Sequence, residues 1–567
     1  MSDTAPDHHD DWQLRPWVLA VMLAAAGLGV YLVAEWDASQ WHPSRAALTA
    51  ALAFGPLGFA FTLGRDRWKE PLAFAAVVAL VMAGIAWRVA NAGDRYVDGP
   101  FWFAAGVVAI ALALPLFQAG FHRLRWRTSY DETHFHVWTD AISVAGALAF
   151  TGLSWLLLLL LSELFAAIEI KLLRELMEKG WFGWIFSGAA FGAALGVLRN
   201  QLKIIGTLQS VVMLVFSIIA VPLAIALVIF LLAVLASGIS VLWNATESPT
   251  PLLLSVAAAS FVLVNAVVRN GDEEASGNRV LRWAAMALAL AIFPLALLAA
   301  ISTGTRIAEY GLSPERLWGI VAVAVAVAYG LAYFIAPIRG RMAGWMVRVR
   351  TANLYLAVGT CVLAFILALP LFDFGAISAK NQIARLEAGR VAVDEFDFAA
   401  LRWDFGDAGR TALKKLASSR NEEIAKLALE ASRQKTRPYR YGRDESREDA
   451  QDRLANMRTA IPSGPLLDEV KGILENNPWR CEKACVVLDL GPEKLGGRQI
   501  AIVEGGNAEV MIVDTEDDIE GWAVREPQAR GLAEARTEQS ANSEVEIREW
   551  TGRRIYIDGK PAGAPFE

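Results

Sequence analysis

Apolar and polar positions fall into long blocks along this 567-residue chain. Before residue 373, eleven runs without charged side chains follow one another, separated by short polar segments. A helix needs about 20 apolar residues to cross the hydrocarbon core of a bilayer. We therefore predict eleven transmembrane helices. The runs lie at 16–34, 46–63, 71–87, 101–117, 141–161, 181–198, 204–236, 251–268, 283–301, 317–336 and 352–372.

Two stretches of this region depart from a simple span. The run 204–236 has Pro222 near its middle and is too short for two spans and a turn, so it predicts one long, kinked helix. A re-entrant segment is the alternative. Residues 163–180 alternate apolar and charged positions at helical spacing, which predicts a helix lying in the membrane plane. The alternative is an extension of span five into water.

The pattern changes after residue 372. Six segments between 379 and 475 have helical patterns, whereas short, partly alternating runs rich in β-branched residues follow Pro478. Gly505-Gly506-Asn507 between two of these runs is typical of a hairpin. We expect a helical part followed by a small antiparallel sheet.

The fold class is therefore a polytopic α-helical membrane protein with a C-terminal α+β extramembrane domain. The predicted divisions are a disordered segment at 1–15, a transmembrane bundle at 16–372, a helical extramembrane region at 373–476 and a small β-rich domain at 477–567. The composition, 55% hydrophobic with a mean hydropathy of +0.37, agrees with this class. The small net charge of −6 argues against a nucleic-acid partner.

The loop charges predict an orientation. The amino-terminal segment and the even-numbered loops carry 16 Lys and Arg side chains, against 8 in the odd-numbered loops. Basic residues are enriched in short cytoplasmic loops. We therefore expect a cytoplasmic amino terminus, and eleven spans then place the C-terminal domain in the periplasm or outside the cell. The expected location is the inner membrane of a bacterium.

Few polar side chains within this region are candidates for function. Asn265 is the clearest intramembrane polar residue, and we expect it to join helices by a hydrogen bond rather than to bind substrate. His134, His136 and Asp140 lie close together in a segment that we interpret as a loop. They are weak candidates for a metal site, and an interfacial cap is the favoured alternative. We predict no catalytic residues and no cofactor.

The two tail cysteines, Cys481 and Cys485, are candidates for a disulfide if the tail lies outside the cell. Two free thiols and a metal-binding pair are the alternatives. Cys361 lies inside the last predicted span.

Three stretches resemble a family of bacterial membrane proteins catalogued as domain of unknown function 4153. They are HFHVWTDA at 134–141, the segment 170–200 and the charged block at 377–410. The last is the most specific, because hydropathy does not dictate its charged residues. The resemblance implies an integral membrane protein and supplies no catalytic residues.

These observations favour a non-enzymatic membrane protein with an external sensing or interaction domain. Its expected partners are membrane lipid and an envelope protein bound through residues 373–567. A transporter or flippase-like carrier is one alternative, although the scarcity of charge in the spans counts against ion coupling. A membrane enzyme that uses His134, His136 and Asp140 is the other.

Overall fold

Eleven helical segments of the described chain are long and apolar enough to cross a membrane, as predicted. The protein is therefore a multi-pass membrane protein. The computed structural model describes residues 12–35, 42–65, 67–238, 249–271, 275–435, 437, 453–477, 480–481, 483–492, 498–504, 507–513, 545–549, 553–557 and 560–566.

Ten long helices form these segments, and two short helices, α5 and α7, connect them. Their bounds are α1 (Arg15–Glu35), α2 (Pro43–Thr62), α3 (Lys69–Ala92), α4 (Gly99–Gln118), α5 (Phe121–Leu124), α6 (Tyr130–Ala166), α7 (Leu172–Met177), α8 (Gly180–Asn200), α9 (Leu202–Ser237), α10 (Pro249–Val268), α11 (Arg279–Tyr310) and α12 (Pro314–Ala368). The helix α9 contains Pro222 and is continuous.

The helix α12 provides two of the eleven segments because it folds back on itself. The Tyr333 hydroxyl lies 2.7 Å from Asn353 Oδ1, although a straight helix would separate residues 20 positions apart by about 30 Å. The two candidate spans are Pro314–Gly340 and Gly344–Ala368. A side chain at Gly340 would collide with the Trp345 backbone, so glycine permits this tight return.

The helices pack in two groups, α1–α8 and α9–α12, which meet chiefly where α4 contacts α12. In the first group, α1 and α8 approach backbone to backbone along three glycines spaced four residues apart. A Cβ at Gly188, Gly192 or Gly196 would collide with the backbone of α1. Small residues at this spacing allow such close approach in membranes.

The segment 163–180 is divided between three elements. The helix α6 continues to Ala166, Glu169 adopts a positive φ of 65°, and α7 covers only Leu172–Met177. Gly180 begins α8. The predicted in-plane helix is thus reduced to the short α7.

Four helices follow the last span and belong to the same compact unit as the bundle, Met1–Ser432. They are α13 (Phe374–Glu387), α14 (Phe398–Trp403), α15 (Gly406–Leu416) and α16 (Glu422–Arg433). Their apolar faces share a core that includes Leu386, Phe398, Leu401, Leu413 and Ala428.

Within its described residues, the second compact unit, Arg433–Glu567, contains two sheets and one long helix. The elements are β1 (Met457–Thr459), α17 (Pro465–Asn476), β2 (Cys485–Pro492), β3 (Arg498–Glu504), β4 (Asn507–Val513), β5 (Val545–Glu549), β6 (Arg553–Ile557) and β7 (Lys560–Phe566). The unit begins well before the boundary predicted at 476/477, because β1 and α17 pack with the sheet.

The first sheet has the order β1-β2-β3-β4 and is mixed rather than purely antiparallel. The strand β1 pairs in parallel with β2 because the chain crosses back through α17 between them. Both faces of β2 are buried. Val487 faces the cluster that includes Leu474 of α17, whereas Val486 packs with Ile555 of β6.

Candidate functional site

A closed hydrogen-bond network lies within the second helix group and includes Asn265, the intramembrane residue singled out in the sequence. Asn265 Nδ2 donates to the Tyr333 hydroxyl at 2.7 Å and to the Phe261 carbonyl at 2.8 Å. Asn265 Oδ1 accepts from Asn353 Nδ2 at 2.8 Å. The Tyr333 hydroxyl in turn donates to Asn353 Oδ1. These bonds join α10 to both arms of α12.

The first turn of α6 adds a fourth member to this network. The Tyr130 hydroxyl lies 3.3 Å from Asn265 Oδ1 and 3.3 Å from Asn353 Nδ2. Tyr333 is fully buried and Asn265 is 5% exposed. Both carboxamides therefore have their donor and acceptor groups satisfied inside the protein, which is typical of a clamp between helices.

His134 lies one turn further along α6 and has partners on both ring nitrogens. The Trp138 indole donates to His134 Nε2 at 3.1 Å, and His134 Nδ1 bonds to Asn270 Oδ1. Since Nε2 accepts a hydrogen bond, Nδ1 carries the proton in this arrangement. Metal binding at His134 would require one of these bonds to break.

The structure does not bring His134, His136 and Asp140 together. They lie on α6, which begins at Tyr130, and not in the loop that we expected. Helical geometry places the two histidines about 200° apart around the axis. His136 Nε2 lies 3.9 Å from Glu132 Oε2, while Asp140 Oδ1 accepts from Gln118 Nε2 at 3.2 Å. Among the described residues, no three His, Cys, Asp or Glu side chains form a metal-binding group.

A second set of polar contacts between segments lies at the end of the bundle where α12 stops and α13 begins, which we call the tail face. It comprises Asp98, residues 308–312 and Ala368, with the helices α13–α15 packed on it. Asp98 is 1% exposed and accepts two hydrogen bonds. Its Oδ1 accepts from Trp318 Nε1 at 2.9 Å, and its Oδ2 accepts from the Phe374 backbone N–H at 2.9 Å.

Asp98 was not a sequence candidate, although a local signal was present. It precedes Gly99-Pro100 at the start of α4, where an aspartate is typical of a helix N-cap. Its side chain makes no capping bond to α4 and instead reaches residues 220 and 276 positions away. Burial raises the pKa of the Asp98 carboxyl above its ordinary value, against the opposing effect of these two hydrogen bonds.

The helix α13 is fixed to the loop between α11 and α12 by side chains that satisfy backbone groups. Asn381 Oδ1 accepts from the Leu312 N–H at 2.9 Å. Gln382 Nε2 donates to the Tyr310 and Leu312 carbonyls at 2.8 and 2.9 Å. Arg385 donates to the Ala308 carbonyl at 3.0 Å. All three bonding side chains belong to the charged block at 377–410.

A second attachment lies beside Asp98. Arg410 Nη2 donates to the Asp94 carbonyl at 2.7 Å, and Gly406 at the start of α15 lies directly against the Arg95 carbonyl. Gly406 has a φ of +62°, and an added Cβ there would collide with that carbonyl. The helices that follow the last span are thus attached to the bundle at two places.

In the second unit, the two tail cysteines face each other. Cys481 and Cys485 are both fully buried, their Cα atoms are 5.3 Å apart and their sulfur atoms are placed at bonding distance. The Glu504 carboxylate accepts from the Cys481 and Lys483 backbone N–H groups at 2.8 and 3.1 Å, which holds the loop between them. This geometry suits the predicted disulfide, and the redox state of the pair stays a prediction.

Comparison with known proteins identifies the family. A family model described as Domain of unknown function (DUF4153) matches residues 46–416. The chain belongs to this family. In this DUF4153 protein, the match runs from α2 to the end of α15, so it includes the helices docked on the tail face as well as most of the bundle. No curated protein and no solved structure matched the chain.

Proposed function

We propose that this protein is a non-enzymatic inner-membrane protein that holds its C-terminal region on the external face as a sensing or interaction domain. The observation that carries the proposal is the docking of α13 and α15 on the tail face. Asp98, Asn381 and Gln382 use buried or half-buried side chains to fix these helices to backbone groups of other segments. A flexible tether would need none of these bonds.

The intramembrane network supports the same proposal. A carrier needs polar groups that exchange partners with a substrate or water during transport. Asn265, Tyr333 and Asn353 instead bond to one another in a closed set. Their arrangement favours a fixed scaffold, on which the docked helices α13 and α15 keep a defined position.

Cysteine labelling tests the proposed orientation. In a background with all three native cysteines replaced by serine, the exposed residues Ser418 and Arg67 are changed singly to cysteine. A membrane-impermeant maleimide applied to cells with a permeabilised outer membrane should label Ser418→Cys at once. Arg67→Cys should react only after the inner membrane is lysed. The opposite pattern would place the tail in the cytoplasm.

Photo-crosslinking from the full chain tests the interaction role. Leu429 on α16 is 43% exposed, and Leu235 near the end of α9 is 81% exposed. A photoreactive amino acid at Leu429 should give discrete adducts with another protein, whereas the same residue at Leu235 should give lipid adducts. Only lipid or solvent adducts at Leu429 would argue against an interaction surface on α16.

Transport is a second candidate because of one observation. The sequence suggested that the spans are almost free of charge, but Asp140 lies within the α6 candidate span beside Gln118 and the Phe61 carbonyl. Reconstituted vesicles test this directly. Ion or proton flux that depends on the protein and is lost in Asp140→Asn would favour a carrier over the scaffold that we propose.

A further inference from the structure

A groove of about 340 Å³ lies on the tail face between the end of α3 and the segment that follows α12. Two arginines, Arg88 and Arg95, line it together with Asn91, Tyr96, Trp102 and Phe372. None of these residues takes part in the docking bonds of Asp98, Asn381 or Gln382. The groove adjoins the second attachment, where Gly406 of α15 lies against the Arg95 carbonyl, but the side chains of Arg88 and Arg95 bond elsewhere.

Arg88 is held rigidly at the base of this groove. Its guanidinium carbon lies 3.3 Å from the centroid of the Trp102 ring, and Nη1 donates to the Ala368 carbonyl at 2.8 Å. Trp102 is only 2% exposed, so the stacking surface is part of the protein core. A guanidinium has five donors, and these contacts occupy one of them.

An arginine inside a candidate span needs a compensating partner, because a charge is costly in a bilayer. Arg88 lies within the span Lys69–Arg95. Among the described residues, neither Arg88 nor Arg95 forms an ion pair with a carboxylate. The nearby Asp98 carboxylate is bonded to Trp318 and Phe374 instead. Asp98 acts on Arg88 electrostatically without forming an ion pair, so the remaining N–H donors of the two arginines are available to an anion.

The surroundings of the groove show where that anion comes from. Leu371 and Phe372, which line the groove, are 62% and 43% exposed and give it an apolar rim. The groove lies at the end of two spans, at the depth where phospholipid headgroups meet the hydrocarbon. A soluble phosphate would gain nothing from this apolar rim, whereas an acyl chain would cover it.

We propose that the groove binds an anionic phospholipid, with its phosphodiester held by Arg88 and Arg95 and its acyl chains against Leu371 and Phe372. Arginine binds phosphate through paired N–H donors with defined geometry. Asp373 also lines the groove, and its Oδ1 accepts from the Ala376 N–H at 2.8 Å. This carboxylate disfavours a doubly charged phosphate monoester and so favours a singly charged diester.

The site adjoins the connection between bundle and tail. Ala368, whose carbonyl accepts from Arg88, is the last residue of α12, and α13 begins six residues later at Phe374. A lipid in the groove would contact the linker between them. The protein would then sense the lipid composition of the leaflet on the tail side.

Native mass spectrometry of the full chain in a neutral detergent tests the proposal. The purified protein is titrated with phosphatidylglycerol, phosphatidylcholine or glycerol 3-phosphate. We expect one phosphatidylglycerol molecule to be retained preferentially, and its affinity to fall about tenfold or more in the Arg88→Gln, Arg95→Gln double variant. Arg390→Gln, which removes an exposed arginine between α13 and α14, is the matched control and should bind like the unchanged protein.

Each other outcome would overturn the proposal. Equal retention of phosphatidylcholine would remove the preference for an anionic lipid, and tight binding of glycerol 3-phosphate would identify a soluble ligand. An equal loss in Arg390→Gln would indicate nonspecific attraction. If the double variant fails to fold, the single variant Arg95→Gln replaces it, because this side chain is exposed. Arg95→Gln should weaken phosphatidylglycerol binding about threefold. Unchanged binding in this variant would count against the site.

Discussion

One hydroxyl group, that of Tyr333, holds the intramembrane network together. The Tyr333 hydroxyl connects two carboxamides, donating to Asn353 and accepting from Asn265. Its loss would leave both carboxamides short of a partner in a fully buried position. The residue is therefore a sensitive test of whether the network stabilises the helix arrangement.

We expect Tyr333→Phe to lower the free energy of unfolding by roughly 0.6–1.7 kcal/mol, the range of hydrogen bonds between membrane helices. Tyr355→Phe is the matched control, because Tyr355 is 53% exposed and its ring stacks on Trp126. Unfolding in mixed micelles at increasing denaturing detergent gives the comparison. Equal stability of the two variants would show that the network is incidental to the fold.

Asp98 makes a second prediction at the residue scale. Asp98→Ala removes the acceptor of two buried donors, Trp318 Nε1 and the Phe374 N–H. An unsatisfied buried donor costs about 1–3 kcal/mol, so α13 should detach more often from the tail face. Hydrogen exchange of residues 374–387 should accelerate in this variant and not in Asp94→Ala, where the side chain is exposed. Unchanged exchange in both would mean that Asp98 does not fix α13.

The pH dependence of stability follows from the same carboxyl. Because the pKa of Asp98 is raised in the folded protein, the folded state binds more protons than the unfolded state between the two pKa values. Its contribution to the free energy of unfolding should therefore fall as pH rises from about 4 through the folded pKa, and stay constant above it. Asp98→Asn should lack this contribution. If the free energy of unfolding of the unchanged protein instead rose relative to that of Asp98→Asn as the pH increases, the effect assigned to burial would be contradicted.

At the scale of elements, hydropathy predicted that the spans exist but did not predict the residues at which the helices begin and end. Eleven uncharged runs had to become spans, because no other backbone structure satisfies its own hydrogen bonds in lipid so simply. The start of α6 was missed because Tyr130–Asp140 is polar, and these side chains find partners on α10, α12 and α4. Periodicity does not show such tertiary partners.

The close contact of α1 and α8 allows an element-scale prediction. A Cβ at Gly192 would lie against the Leu19 carbonyl and the Ala20 backbone, so Gly192→Ala must push the helices apart. Overpacking of this kind costs about 1–3 kcal/mol. Gly84→Ala on α3 is the control, since nothing lies within 4 Å of the added methyl. Thermal unfolding in lipid nanodiscs should show a lower stability for Gly192→Ala than for Gly84→Ala. A loss of stability confined to Gly84→Ala would contradict the close packing of α1 and α8.

At the scale of the whole chain, two long-range contacts could not be predicted from local sequence patterns. The alternation of the late segments indicated strands, but the parallel pairing of β1 depends on α17, which precedes β2 in the chain. The docking of α13 depends on Asp98, which lies 276 residues from its partner. Both features join distant parts of the sequence, and a single sequence without tertiary contacts contains no signal for them.

The state of Cys481 and Cys485 depends on the compartment in which the second unit lies, and so connects one residue pair to the topology of the whole protein. Disulfides persist outside the cytoplasm and are rare within it. With an external tail, alkylation of the denatured, unreduced protein should modify Cys361 alone. Serine at both tail positions should then destabilise the second unit by about 2 kcal/mol, the loop-closure entropy of a short disulfide loop. Modification of all three cysteines in freshly prepared membranes would place Cys481 and Cys485 in a reducing compartment. That result would contradict the external location of the C-terminal domain, which the proposed function requires.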